Sequence, residues 1–225
     1  MQLSLLTSKK RYHKLRNMDS LGPLIALIIL VIVLSICSRH FFSMNNFLNI
    51  IQQSSINLII ALGMTTVLIS GGIDLSVGSV LALTGCSIAL LAVKYGVNPV
   101  IAILIGLVLG SLIGALNGFI ISRTRIPDFI MTLGMLNVAK GLALVITSGL
   151  PVTRLPRLLV FFGSVKLFGF LPMSAIVAVI MIILAWFILN YTKLGRAAFA
   201  IGGNKEAARA AGINVRNYKV KIYAL

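Results

Sequence analysis

Residues that could bind a metal ion, activate water or attack a substrate are scarce in this sequence. Only four acidic residues and two histidines occur among its 225 residues. No nucleophile stands in a pattern with a base, and no His–Glu pattern typical of a metal site is present. A phosphate-binding GxxxxGK[ST] loop is also missing from the sequence. We therefore expect neither an enzyme nor a protein that itself holds a nucleotide, another cofactor or a metal.

One acidic residue, Asp74, lies in the segment GGIDLSVG, Gly71 to Gly78, which interrupts two long apolar runs. Gly71 and Gly72 can end one helix, and Asp74 can cap the next by accepting hydrogen bonds from the amides that follow it. Non-helical backbone at membrane depth is tolerated where it is buried in protein or lines a watery cavity. Broken helices of this kind form substrate paths in transporters. The residues leave open whether Asp74 only caps a helix or also acts in a translocation path.

A second polar segment, Leu194 to Tyr218, has the features of a short helix outside the membrane. Asn204 is a good N-cap, Glu206 in the first turn suits the helix dipole, and Gly212 is a natural terminator. The small face of this helix consists of Ala207, Ala208 and Ala211. Such a face suits insertion into a groove on a partner protein. The alternative is a basic helix that rests on anionic lipid headgroups.

The elements that must position these residues are transmembrane helices. Hydrophobic residues make up 59% of the chain and charged residues 11%, which is more apolar surface than a soluble domain can bury. Uncharged blocks of about 20 residues match the roughly 30 Å of hydrocarbon in a bilayer. The predicted spans are Leu21 to Cys37, Ser55 to Ser70, Leu75 to Val93, Pro99 to Ser122, Ile126 to Thr147 and Ser174 to Tyr191. We predict an all-α polytopic transmembrane bundle of about six spans, with a broken helix near Gly71 to Gly78.

The basic residues lie at the ends of spans and in the connections between them. The net charge of +16 is therefore explained by the excess of basic residues on the cytoplasmic side of membrane proteins and by attraction to anionic membrane lipid. It does not indicate a nucleic-acid-binding face. Basic clusters before Leu21, after the fourth span and beyond Lys193 indicate that these regions, including the N-terminus, are cytoplasmic. The predicted organisation is a basic tail at 1–20, the bundle at 21–192, a cytoplasmic loop at 193–219 and the start of a further span at 220–225.

Several small or polar residues within the spans have structural explanations. A glycine stripe on the fourth span lets a neighbouring helix approach closely, and its members are Gly106, Gly110, Gly114 and Gly118. Asp128 follows Pro127 at the start of the fifth span, where a helix cap explains it. Other polar residues could line a path or join helices by hydrogen bonds. They are Asn57, Thr65, Thr66, Asn117, Asn137 and Lys140.

Two motifs resemble those of a known family. The runs SGGIDLSVGSVLALTG, from Ser70, and LGRAAFAIGGNKEAARAAGINV, from Leu194, are similar to the signature and the cytoplasmic loop of ribose-type permeases of bacterial ATP-binding-cassette importers. The resemblance implies a bacterial inner-membrane subunit that moves a simple sugar, ribose or a related monosaccharide, into the cytoplasm. It also implies three partners: a cytoplasmic ATPase that binds ATP and Mg²⁺, an extracytoplasmic sugar-binding protein and a second permease subunit.

The same resemblance assigns two sets of site residues. The implied translocation-pathway residues are Gly71, Gly72, Asp74, Leu75, Ser76 and Gly78, and the implied ATPase-coupling residues are Glu206, Ala207, Ala208 and Gly212. Members of the family continue past the loop with further spans, so the resemblance implies a chain shortened at its C-terminus. Asp128 departs from the family pattern, in which that position is usually small or apolar. The alternative functions are an ion-coupled secondary transporter and a truncated membrane scaffold that transports nothing.

Overall fold

The structure, a computed structural model, describes residues 21–167 and 169–225. The predicted basic tail at 1–20 lies outside the described residues. The described residues divide into two units, which separate between Ile50 and Ile51. In the first unit, helix α1 spans Leu21–Cys37 and has no buried residue. Its long apolar side chains, such as Ile28 and Leu30, are exposed, as expected of a helix whose surroundings are lipid.

Most of the described chain is helical, which confirms the predicted all-α bundle. The further helices are α2, Met44–Ile69; α3, Val77–Val93; α4, Pro99–Arg123; α5, Asp128–Thr147; α6, Arg157–Ser164; α7, Met173–Tyr191; α8, Lys193–Gly203; α9, Lys205–Ala210; and α10, Val215–Ala224. A short antiparallel pair lies between α6 and α7, where β1, Lys166–Leu167, pairs with β2, Leu171–Pro172.

All the predicted spans are helical. Helices α2, α4, α5 and α7 are long and apolar enough to cross a membrane, while α1 and α3 are apolar with 17 residues each. The interruption predicted near Gly71 to Gly78 separates α2 from α3. Helix α2 begins at Met44 rather than at Ser55, because its polar first turns also adopt helical structure. Ser43 caps this earlier start, its hydroxyl accepting a hydrogen bond from the Asn46 amide at 3.2 Å.

Helix α4 packs closely against two other helices through its glycine stripe. A Cβ added at Gly106 would overlap the side chain of Ile88 in α3, and one added at Gly114 would overlap the carbonyl of Tyr223 in α10. At Gly118 an added Cβ would also lie 2.8 Å from backbone atoms of α10, closer than carbon atoms pack. The predicted packing seam is therefore confirmed, and it joins α4 to different helices at its two ends.

Replacing Gly114 by alanine should destabilise the protein, because the added methyl group has no room against the backbone of α10. Overpacking of this kind costs about 1–3 kcal/mol. Gly110→Ala is the matched control on the same stripe, since its Cβ would make an ordinary contact at 3.5 Å with Thr84 Cγ2. Thermal unfolding in detergent should give a lower melting temperature for Gly114→Ala than for Gly110→Ala. Equal melting temperatures would contradict the close approach of α4 and α10.

After the last predicted span the chain folds back onto the helices that precede it. Helices α8 and α10 contribute to one buried cluster with α2 and α4, formed by Val67, Ile121, Ala198, Ile222 and Tyr223. A second cluster joins α8, α9 and α10, and it consists of Ala197, Ile201, Ala208 and Val215. The polar segment after Lys193, in which the sequence predicted one short helix, therefore contains three helices that pack on one another.

Candidate functional site

The interruption begins where Gly71 ends helix α2. Gly71 has a φ of 73°, in the left-handed region that glycine adopts without steric cost. The amide of Gly72 donates to the Val67 carbonyl at 3.0 Å, and the amide of Gly71 donates to the Leu68 carbonyl at 2.9 Å. These two bonds form a Schellman motif. They confirm the prediction that the two glycines end the helix.

Asp74 holds the turn that leads into helix α3. Its Oδ1 accepts hydrogen bonds from the amide and the hydroxyl of Ser76, at 2.7 and 2.6 Å. Asn117 of α4 donates from Nδ2 to the same Ser76 hydroxyl at 3.1 Å. Ser76 and Asn117 are fully buried, whereas Asp74 is half-buried. Asp74 therefore fixes the N-cap residue of α3, Ser76, and makes no bond to the amides within the helix, which differs in detail from the predicted cap.

Helix α5 holds the middle of the interruption through Thr132, which is fully buried. The hydroxyl of Thr132 accepts a hydrogen bond from the Leu75 amide at 3.1 Å. It also lies 3.3 Å from the Ile73 carbonyl and 3.0 Å from the Asp128 carbonyl, either of which can accept its proton. Sequence reasoning missed Thr132, because a hydroxyl within an apolar span is also typical of a residue bonded only to its own helix.

Asp128 makes an interaction that the sequence did not predict. Helix α5 begins at Asp128 without a side-chain cap, so the interpretation of this residue as a helix cap was wrong. Its Oδ2 instead accepts hydrogen bonds from Lys219 Nζ at 2.8 Å and from the Tyr223 hydroxyl at 2.9 Å. Lys219 and Tyr223 lie one helical turn apart on α10, so both reach the same oxygen. We call Asp128, Lys219 and Tyr223 the carboxylate cluster.

Helix α8 contacts the interruption through Gly202. A Cβ added at Gly202 would overlap the carbonyl of Ile69, the last residue of α2, and would lie 3.4 Å from the Gly71 amide nitrogen. A Cβ on Gly71 would in turn lie 3.8 Å from the Gly202 Cα. The backbones of α8 and of the end of α2 are therefore in direct contact. The next residue, Gly203, has no atom within 4 Å of its Cβ position.

Two cavities border the interruption, and both are lined by Asp74 and Tyr223. The first, of about 270 Å³, extends along the glycine stripe of α4 and is also lined by Ser76 and Asn117. The second, of about 360 Å³, is mostly apolar and lies between residues of α2 and α7, with Thr66 among them. Of the predicted pathway residues, Asp74 and Ser76 line these cavities. Gly71, Gly72, Leu75 and Gly78 lie nearby in the interruption and line neither of the two.

The predicted coupling residues lie within the short helix α9 and just after its end. Asn204 caps it, its side-chain oxygen accepting hydrogen bonds from the amides of Glu206 and Ala207 at 3.0 and 2.9 Å. Gly212 follows the helix with a φ of 82°, and the next amide bonds back to the Ala208 carbonyl at 3.0 Å. The predicted cap and terminator are therefore confirmed.

The coupling residues differ in exposure. Glu206, Ala207 and Gly212 are exposed, and Glu206 forms a surface ion pair with Arg209 at 2.9 Å. Ala208 is only 4% exposed and packs in the second buried cluster. Its methyl group therefore stabilises the chain's own fold, whereas Glu206 and Ala207 lie on the exposed side of α9.

The sequence of the chain matches a known protein family over the helices described above. The family described as "Branched-chain amino acid transport system / permease component" matches residues 46–225, which include the interruption, the carboxylate cluster and residues 204–214 around α9, which we call the α9 loop. The chain belongs to this permease family. With helices α2, α4, α5 and α7 long and apolar enough to cross a bilayer, the permease is a multi-pass membrane protein. No solved structure matches it.

Several curated relatives of the permease are import permeases for sugars. The ribose import permease protein RbsC of Escherichia coli (strain K12) is 41% identical over 222 residues, which cover 97% of this chain and 68% of the relative. RbsC of Bacillus subtilis (strain 168) is 43% identical, with coverage of 98% and 69%. The fructose import permease protein FrcC of Rhizobium meliloti is 32% identical, with coverage of 96% and 62%.

Proposed function

We propose that the permease is the translocation subunit of an ATP-binding-cassette importer for a simple sugar, ribose or a related monosaccharide. The observation that carries this proposal is the identity of 41% and 43% to two ribose import permeases, over 97% and 98% of the chain. The family description names branched-chain amino acids, whereas the relatives compared above are named for sugars. The substrate assignment follows these relatives.

The proposed location is the bacterial inner membrane, with the N-terminus and the 193–219 loop in the cytoplasm. Supporting this orientation, exposed basic residues lie at the end of α4 and throughout the segment from α8 to α10. They include Arg123, Arg125, Lys193, Arg196, Lys205 and Arg209. Cytoplasmic ends of spans carry such an excess of basic residues, which also attract anionic lipid headgroups.

The proposed translocation path passes the interruption between α2 and α3. Its residues are Gly71, Gly72, Asp74, Leu75, Ser76 and Gly78. Support comes from the two cavities that Asp74 borders and from the side chains of Ile73 and Leu75, which are 44% and 42% exposed. Irregular backbone at membrane depth is characteristic of such paths, since its polar groups need protein or water around them.

The proposed docking surface for a cytoplasmic ATPase is the exposed side of α9 with Glu206, Ala207 and Gly212. Ala208 supports this surface from inside by anchoring α9 to α8 and α10. ATP and Mg²⁺ are bound by that ATPase, an extracytoplasmic binding protein delivers the sugar, and a second permease subunit completes the pore. ATP-driven closure of the ATPase moves α9, and α8 transmits the movement to the interruption through Gly202.

Substituting arginine for Ala207 should abolish co-purification with the ATPase, because a long charged side chain replaces a methyl group at the centre of the docking surface. The experiment expresses the gene product with candidate cassette ATPases of the same genome and isolates the complex in detergent. Asn217→Arg is the matched control, since it adds the same charge at an exposed position of α10 outside α9. If the Ala207→Arg variant still co-purifies with the ATPase, the docking surface does not lie on this side of α9.

Uptake of labelled ribose into cells or proteoliposomes that contain the whole importer tests the substrate class. The proposal predicts uptake that requires ATP and that unlabelled monosaccharides reduce by competition. Uptake that persists without an ATPase and follows an ion gradient would instead support a secondary transporter. An absence of sugar uptake in the presence of a bound ATPase would contradict the sugar assignment alone.

A further inference from the structure

The carboxylate cluster links parts of the permease that are far apart in the sequence. Asp128 starts α5, while Lys219 and Tyr223 lie 91 and 95 residues further along the chain, on α10. Because α10 directly follows the α9 loop, a force applied to that loop reaches Lys219 and Tyr223 through a rigid helix. The cluster is therefore placed to relay such a force to α5.

Lys219 is buried, so its charged form requires the ion pair with Asp128. Lys219 is 7% exposed and Tyr223 6%, and the side chain of Asp128 is 20% exposed. A lysine ammonium removed from water is stable in its charged form only with a close counter-charge. Asp128 supplies the only acidic group within ion-pair distance of Lys219 among the described residues.

The cluster also contacts the interruption itself. The Tyr223 hydroxyl, while donating to Asp128, lies 3.5 Å from the Ile73 carbonyl. A Cβ added at Gly72 would lie 2.6 Å from that hydroxyl and 3.0 Å from Asp128 Oδ2, so the backbone of the interruption rests on the cluster. One turn beyond Asp128, Thr132 binds the Leu75 amide. Helix α5 thus holds α10 with its first residue and the interruption with the next turn.

We propose that Asp128 is a positioning residue for transport, which fixes α10 against the interruption so that movement of the α9 loop changes the conformation of residues 70–76. This inference rests on the proposed function and adds a residue to it. Without Asp128, Lys219 loses its only ion-pair partner among the described residues, α10 is no longer held to α5 by this cluster, and the movement of the loop that reaches the interruption through α10 is reduced. Hydrolysis of ATP then continues with less sugar moved per ATP.

The test separates this positioning role from a role in folding alone. The double variant Asp128→Ala/Lys219→Met removes both charges together, so that no buried charge is left unpaired, and Tyr223→Phe removes one hydrogen bond while the ion pair stays. The whole importer is assayed in proteoliposomes for sugar uptake and ATP hydrolysis, and each variant is checked by thermal unfolding in detergent. We expect the double variant to melt near the wild-type temperature, and its uptake per ATP hydrolysed to fall about tenfold. Tyr223→Phe should show a smaller fall in the same ratio.

The possible results distinguish this proposal from the proposed function. A folded double variant with the wild-type ratio of uptake to hydrolysis would overturn the positioning role and leave the importer function intact. A wild-type protein that takes up no sugar would contradict the proposed function and, with it, this inference. Asp128→Asn/Lys219→Met adds a rescue: it leaves no buried charge, and its amide oxygen can still accept the hydrogen bond from Tyr223, so it should retain more uptake per ATP than Asp128→Ala/Lys219→Met.

Discussion

Replacing Gly202 by alanine is expected to abolish transport, because a methyl group at this position would occupy the space of the Ile69 carbonyl. Helix α8 would then have to move away from the end of α2, and the proposed link between the α9 loop and the interruption would be lost. Backbone oxygen cannot give way as the end of a flexible side chain can, so overpacking here costs about 1–3 kcal/mol or more. Sugar uptake by the whole importer is the measurement.

The adjacent glycine provides the matched control. Gly203→Ala introduces the same methyl group one residue later, where nothing lies within 4 Å, and it should transport at the wild-type rate. Both variants should insert into the membrane and bind the ATPase, since neither residue belongs to the exposed side of α9. Wild-type uptake by Gly202→Ala would show that α8 and α2 do not need their close contact for transport.

Asp74→Ala should also remove most transport activity, and Asp74→Asn should retain it. Alanine eliminates the two hydrogen bonds that Asp74 accepts from Ser76, so only the bond from Asn117 still holds the Ser76 side chain. Asparagine keeps an oxygen at Oδ1, and Asn is as good as Asp in accepting amide hydrogen bonds in such turns. Uptake measured at equal amounts of membrane-inserted protein gives the comparison.

This pair of variants decides between the two roles that the sequence left open for Asp74. If Asp74 only organises the turn, removal of its charge has little effect as long as the acceptor remains. If the carboxylate charge itself acts in the path, Asp74→Asn will be as defective as Asp74→Ala. The structure favours the first result, because both hydrogen bonds that Asp74 makes to the described residues come from Ser76.

Local features of the fold were predictable from the sequence because neighbouring residues determine them. The Schellman motif at Gly71 and Gly72 and the Asn204 cap depend on residues within one turn, and the apolar spans depend on composition over about 20 residues. The start of α2 was predicted too late because its first turns are polar and give no hydrophobic run. Helix α8 was missed because its eleven residues include three glycines, which disfavour helical structure.

Contacts between distant segments were not predictable in this way. The pairing of Asp128 with Lys219 depends on α10 lying against α4, which the glycine stripe permits but does not specify. A stripe of small residues predicts that some helix approaches, and only the folded chain shows that α3 meets one end and α10 the other. Likewise, the spacing of the alanines in α9 predicted a face of small side chains. The burial of Ala208 on that face depends on contacts with α8, which the sequence did not predict.

The interruption is held almost entirely through its backbone and its serine, while two of its side chains project freely. Thr132 binds the amide of Leu75 and lies within hydrogen-bond distance of the Ile73 carbonyl, yet both of these side chains are more than 40% exposed. In this segment, therefore, backbone groups fix the conformation, while the side chains of Ile73 and Leu75 form the exposed surface. Because the proposed translocation path passes this segment, substitutions confined to Ile73 and Leu75 should change substrate preference without unfolding the interruption.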